Sequence, residues 1–585
     1  MAVENLITEH IDIWTSAVKT KSTSGRGSSN KLELYGVKKL RELILELAVR
    51  GKLVPQDPND EPASVLLERI AQEKAQLVKE KKIKKPRKYE PIDDNSLPFN
   101  IPSSWKWARI EDLGHDLGQK KPDKTFTYVD VGSINKELGY IDEPSILEHS
   151  EAPSRARKLV QKNTVIYSTV RPYLLNIAVI DRDFNPEPIA STAFAIIHPL
   201  SGISSSYIYR YLRSPSFIEY VESVQTGIAY PAINDKQFFF GLIPVPPSAE
   251  QHRIVAKVDE LMALCDQLEQ QTEASIKGHQ VLVTTLLDTL TNSADADELM
   301  QNWARISEHF DTLFTTEESI DQLKQTILQL AVMGKLVPQN PDDEPAAELL
   351  KRIAEEKAQL VKEKKIKKQK ALPPISEDEK PFELPSGWEW CRINAICTIE
   401  NGDRSSRYPN SSDLVDEGVP FFGAYDIAGD KLVANENLRF ITQRKFLELS
   451  NGKLQDKDFI MLLRGSVGKT AQFECNIGFA TGFINAQMLI IRLLDTSFDS
   501  YLNCYFQSKL YWNSIEKNKS GAVIQQMPAS KVVELVLPLP PLREQKKIAA
   551  KVDELLSVCE QFKVRLKEGQ NTQIQLTDAI VGQVM

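Results

Sequence analysis

The sequence of 585 residues predicts an α+β protein built as a tandem duplication: two β-rich domains joined by long antiparallel coiled-coil-like helices about a pseudo-two-fold axis. Three observations carry that prediction. ELAVRGKLVPQDPNDEPA, beginning at Glu46, returns as QLAVMGKLVPQNPDDEPA at Gln329, and 46–85 matches 329–368 at 32 of 40 positions without a gap. Two proline straps, LIPVPP at 242–247 and LVLPLPP at 535–541, each lead into a run with heptad spacing. Between these shared flanks lie two stretches of short β-type runs that differ from one another.

The first element, 1–96, is a helical region holding the first copy of the repeat. Its segment 62–85 places Leu66, Leu67, Ile70, Ala71 and Leu77 at helical spacing, ends before Pro86 and carries the basic run KEKKIKKPRK at 79–88. A β-rich domain follows at 97–248, with NTVIYSTV, LNIAVID and AFAIIHP as its strand candidates. In the central heptad helix, 249–295, Ile254, Val258, Leu261, Cys265 and Leu268 fall at alternating steps of four and three, the seam of helices that pack along their length. The helical region 296–372 repeats the first, with a matching helix at 345–368 and the basic run KEKKIKKQK at 362–370. A second β-rich domain, 373–542, offers DFIMLLR and AQMLIIRLL; the C-terminal heptad helix, 543–585, repeats the seam with Ile548, Val552, Leu555, Cys559 and Phe562. The copies hold an offset of 283 through Trp105/Trp388 and Trp107/Trp390, fade, and return at an offset of 294 in the straps and heptads. A helix from Glu250 to about Leu290 would run roughly 60 Å, long enough to hold two domains well apart.

Composition excludes some classes. A hydrophobic share of 42% and a charged share of 26% are ordinary for a water-facing protein, and no apolar run is long enough for a membrane span. The opening MAVENLITEHIDIW is acidic where a secretory signal is basic and then apolar. Six cysteines include no CxxC pair, so no zinc ribbon or redox motif is suggested and a reduced, cytoplasmic protein is expected. The net charge of −8 leaves nucleic-acid binding open, because the field at the contact surface decides it rather than the sum.

Paired LPLPPLREQKKIAAKVDELL and IPVPPSAEQHRIVAKVDELM, YSTVRPYLLNIAVID with IASTAF, and LLRGSVGKTAQF with INAQMLIIR occur in order around two variable middles. In these features the chain resembles, end to end, the specificity subunit of a type I restriction-modification enzyme. The duplicated GKLVP…EKAQLVKEKKIKK block is most like the family's IB branch. The resemblance implies two target-recognition domains, each reading half of an interrupted double-stranded DNA site. It also implies that catalysis belongs to partners: two modification subunits that methylate adenine with S-adenosylmethionine, and restriction subunits that translocate and cut DNA with ATP and magnesium. The chain itself is expected to bind no cofactor or metal and to be non-catalytic. The helices at 62–85 and 345–368 are candidate seats for two copies of one partner, or parts of the structural body.

The residues support a reader independently. Base edges are read by directional donors and acceptors, and phosphates are held by lysines, hydroxyls and amides. The first middle offers Ser168, Thr169, Arg171, Asn176, Thr226, Gly227, Tyr230, Asn234 and Lys236. The second offers Arg464, Ser466, Lys469, Asn485, Ser520, Gly521, Gln525, Gln526 and Lys531.

Enzyme motifs fail on chemistry. GSVGKT at 465–470 has Leu463 where a phosphate loop needs its first glycine. No proline pair follows the Asp or Asn that would hold a target amine in an amino-methyltransferase. Asp378-Glu379-Lys380 is the nearest approach to a nuclease triad, and it sits in a proline-flanked acidic linker. The competing class is a non-catalytic coiled-coil scaffold joining protein partners, which explains the heptads and the duplication but not the guanidinium and amide side chains of the middles.

Overall fold

A computed structural model describes all residues except 1–2, 22–30, 94–96, 295, 369–370 and 522–523. The expected boundaries at 96 and 295 and the last two residues of the basic run 362–370 therefore lie outside the described residues. The chain divides into two units, Met1–Ile276 with Glu568–Met585, and Lys277–Lys567. The long helices Ser248–Asn292 and Leu542–Val584 each begin in one unit and end in the other.

In the first unit the repeat begins on the helix Tyr35–Val49, which buries Leu40, Leu43, Ile44 and Leu47. Gly51 (φ +69) ends it: the Lys52 amide donates to the Leu47 carbonyl at 2.9 Å, and a Cβ on Gly51 would lie 2.5 Å from Pro102 Cγ. Only glycine meets both demands without strain, which accounts for the first letter of GKLVP. The next helix, Ala63–Lys79, is shorter than the sequence suggests. Lys81 takes a left-handed conformation (φ 60), and the Lys82 amide closes back on the Leu77 carbonyl at 2.9 Å. The basic run is thus a capped exit turn, not a continuing helix.

The β-rich part of this unit has two four-stranded sheets. One runs in the order Ile177–Val179, Val165–Ser168, Phe194–Pro199, Gly114–His115; the other runs Ser145–Leu147, Phe126–Val129, Pro188–Ser191, Ala156–Leu159. Predicted strands fall where the β-branched runs lie. The strap Leu242–Val245 is itself a strand, paired antiparallel with Lys106–Arg109, so the domain's entry and exit close on each other. Its carbonyls also hold the helix Ser205–Leu212: Tyr207 Oη donates to Pro244 O at 2.7 Å. The seam positions Ile254, Val258, Leu261 and Cys265 are buried in the same core, and Ile580, Val581 and Val584 pack against it.

The second unit repeats this plan. Glu317–Val332 and Ala346–Lys362 answer the two repeat helices, with Gly334 (φ +71) and Lys364 (φ 58) at the same two turns. The strap Val536–Leu539 pairs with Glu389–Arg392, and Tyr501 Oη donates to Pro538 O at 2.7 Å. One sheet is larger, with six strands, Cys397–Asn401, Met488–Leu493, Phe459–Leu462, Thr470–Gln472, Lys431–Leu432 and Ile427–Ala428, and the other again has four. Ile548, Val552 and Cys559 are buried, with Leu555 and Phe562 packed against them.

A buried carboxylate locks each mount. Trp105 Nε1 donates to Glu250 Oε2 at 3.0 Å and Gln56 Nε2 to Oε1 at 2.5 Å; Trp388 and Gln339 donate to Glu544 at 3.1 and 2.9 Å. Burial raises the pKa of both carboxyls above the ordinary glutamate value. The duplicated tryptophan and the EQ of PPSAEQ and PPLREQ are two ends of one hydrogen bond.

Sequence comparison loses the register in the middles, but the folded chain keeps it much further. Val165–Ser168 and Phe459–Leu462, Phe194–Pro199 and Met488–Leu493, and Pro215–Val224 and Lys509–Asn518 all stand 294 apart. The extra length of the second middle therefore enters between Arg392 and Phe459.

Candidate nucleic-acid interface

The duplicated offset also places a hairpin at the same point of each unit. In the first, Thr226 and Ala232 exchange both backbone hydrogen bonds at 2.9 Å, and Ala232 bridges to Val170. In the second, Ser520 and Gln526 exchange bonds at 2.9 and 2.8 Å, and Gln526 bridges to Arg464. Gly227 (φ +94) and Gly521 (φ +103) turn the two chains. A Cβ there would meet Tyr230 O at 2.8 Å or Ile524 O at 2.3 Å, so a glycine follows the hydroxyl residue in both. Each hairpin is clipped to the loop after the strand Val165–Ser168 or Phe459–Leu462. Arg171 N donates to Pro231 O at 2.8 Å, Gly465 N to Gln525 O at 3.0 Å and Met527 N to Leu463 O at 2.9 Å.

Eleven of the predicted residues lie on or beside these paired loops. Thr226, Gly227, Tyr230 and Lys236 are exposed in the first unit; Arg464, Ser466, Ser520, Gly521, Gln525 and Gln526 are exposed in the second. Arg171 is half-buried, its guanidinium 4.7 Å over the Tyr230 ring, so the two present one cationic, aromatic surface.

Each of the remaining seven makes a hydrogen bond or ion pair within its own unit. Ser168 and Thr169 are buried, their hydroxyls donating to Val170 O at 3.0 Å and Ala193 O at 2.9 Å. Asn176 is half-buried and its carbonyl accepts from Ser168 N at 3.0 Å. Asn234 caps the helix Asp235–Phe240, accepting from Gln237 N at 2.9 Å. Asn485 accepts from Gln487 N at 2.9 Å, Lys469 donates to Ile427 O at 3.2 Å, and Lys531 pairs with Glu534 at 2.7 Å.

Sequence reasoning missed the apolar side chains of the same loops. Ile228, Tyr173, Leu174 and Ile524 are all exposed. The available signal was TGIAYPA standing 294 before SGAVIQQ, the offset already seen in the straps. Glu379, considered as a nuclease carboxylate, accepts two 3.0 Å bonds from Arg392, whose guanidinium holds it well below the usual range, at about 2. Among the described residues no group of three or more His, Cys, Asp or Glu could hold a metal, and no helix is long and apolar enough to cross a membrane.

Two matched mounts, each presenting a hairpin face of different side chains, define a double-module protein. The type I restriction modification DNA specificity domain matches the chain twice, over residues 102–278 and 385–575. The chain belongs to the family of type I restriction enzyme specificity subunits, the non-catalytic components of those systems. It is 43% identical over 602 residues to the EcoAI specificity subunit of Escherichia coli and 42% identical over 597 to the EcoEI specificity subunit, covering 99% of each chain in both cases. Among solved structures, a chain from work on complex assembly and conformational transition of the type I R-M system is 23% identical. It has a TM-score of 0.51 and covers 83% of this chain and 99% of that one, a likeness of fold.

Proposed function

We propose that this chain is the sequence-specific DNA-recognition subunit of a type I restriction-modification complex, each β-rich domain reading one half of an interrupted double-stranded site. The observation that carries the reading is the pair of hairpins at one offset on matching mounts, with Arg171–Tyr230 and Lys236 on or beside one and Arg464, Gln525 and Gln526 on or beside the other. Guanidinium and amide groups suit guanine and adenine edges, and the lysine suits phosphate. The eleven residues on or beside the paired loops are the proposed contacts.

In this reading two modification subunits methylate adenine with S-adenosylmethionine, and restriction subunits cut with ATP and magnesium. The site thereby directs both activities without chemistry in this chain. The domains are proposed to divide as the sequence reading has them, and the duplicated GKLVP…EKAQLVKEKKIKK block supports assignment to the IB branch. The test is selection of bound duplexes from a random library by the chain with its modification subunits. Enrichment of two fixed half-sites around an unread spacer is expected; recovery of no common motif would contradict the reading.

A further inference from the structure

The reading loop of the first unit presents apolar side chains where a loop in water ordinarily presents polar ones. Ile228, at the hairpin tip, is 105% exposed, Tyr230 is 68% and Tyr173 52%. Their presentation is built into the backbone. Arg171 (φ 50) and Leu175 (φ 51), both left-handed without being glycine, bracket the turn Pro172–Leu174. Such conformations persist only where the surroundings over-determine them. At Arg171 the hairpin does so, through the Arg171 N to Pro231 O bond at 2.8 Å and the bridge from Val170 to Ala232. The Tyr230 ring is held under the Arg171 guanidinium at 4.7 Å, and Ile228 follows directly on the left-handed Gly227 (φ +94).

We propose that this tip is a DNA wedge: Ile228 enters between two neighbouring base pairs of the half-site, unstacks that step and kinks the duplex, while the Tyr230–Arg171 stack braces it against the strand. The proposal rests on the DNA-reading function above and adds deformation to it. A protein-binding patch would also bury Ile228, but it would not call for the guanidinium stacked alongside or for exposed Lys236 on the following helix. An apolar side chain gains by leaving water for a base stack, and cations pay part of the cost by neutralising phosphates drawn closer in the bend.

The experiment uses the chain with its modification subunits on the selected duplex. 2-Aminopurine is placed in turn through the first half-site, at positions other than the methylated adenines, and a scrambled duplex is the competitor. One step should brighten, by roughly threefold or more, and end-to-end energy transfer should report a bend of about 20° or more. At protein concentrations that saturate the duplex, Ile228→Ser should lose both signals, and Ile228→Leu should restore them. Specific binding with no brightened step, or signals unchanged in Ile228→Ser, would overturn the wedge and leave the reading function standing. Loss of all preference by the parent chain would overturn both.

Discussion

Arg464 and Lys236 separate the two kinds of contact a DNA reader makes. Both are exposed, Arg464 on a paired loop and Lys236 on the helix Asp235–Phe240, but a guanidinium can grip one base edge in two places while an ammonium acts as a point charge. Arg464→Ala is expected to cost about 1–3 kcal/mol and to relax preference at one position of one half-site. Lys236→Ala should weaken binding to all sequences alike and lower the salt slope by about one. Titrations at several salt concentrations against single-base variants give both quantities. Thr169→Val is the contrasting case: its hydroxyl donates to Ala193 O inside the fold, so it should cost about 0.5–1.5 kcal/mol of stability and leave base preference intact. At this scale residue type is a weak guide: a Ser, Thr or Asn that serves a turn cannot be told from one that serves a ligand until its partner is seen. Asn234 and Asn485 show why, because the amide geometry that suits adenine also caps a helix or closes a turn.

The duplicated carboxylate lock makes a prediction about the elements it joins. Burial raises the pKa of Glu544, Asp343 adds to the rise and Lys547 opposes it. A folded pKa above the unfolded one means that the folded state holds the proton more tightly. The stabilisation is full below the ordinary glutamate value and is lost as pH rises through the raised one. Thermal unfolding should therefore fall across that window, and Glu544→Gln, which keeps an acceptor for Trp388, should flatten the fall and not lower the midpoint at neutral pH. Glu544→Ala leaves the Trp388 N–H unpaired and should cost about 1–3 kcal/mol. Elements were the most legible scale. Heptads, repeat helices and strands stand where periodicity placed them, because burial of a seam writes itself into spacing. The helix ends at Lys79 and Lys362 were not legible, since a lysine in a left-handed cap carries no compositional mark. The hairpins escaped because their equivalence lies in backbone register, while their side chains diverge.

For the whole molecule, the duplication means that one plan is used twice with different reading loops. Each long helix begins in one unit and ends in the other, so helix length is proposed to set the unread spacer. Seven residues added after both Gln271 and Arg565 keep the heptad phase and add roughly 10 Å. The preferred spacer should lengthen by about three base pairs at 3.4 Å each, with both half-sites unchanged. A folded, binding-competent variant with the parental spacer would contradict the ruler. Modularity follows from the same plan. An exchanged segment 111–240 keeps the hairpin whole between the paired strands Lys106–Arg109 and Leu242–Val245. The most direct measurement is selection of bound duplexes by the parent and by a chain whose 111–240 comes from a relative that reads a different site. Two independent readers predict that one half-site changes and the other is kept; a change in both halves, or in neither, would contradict the account.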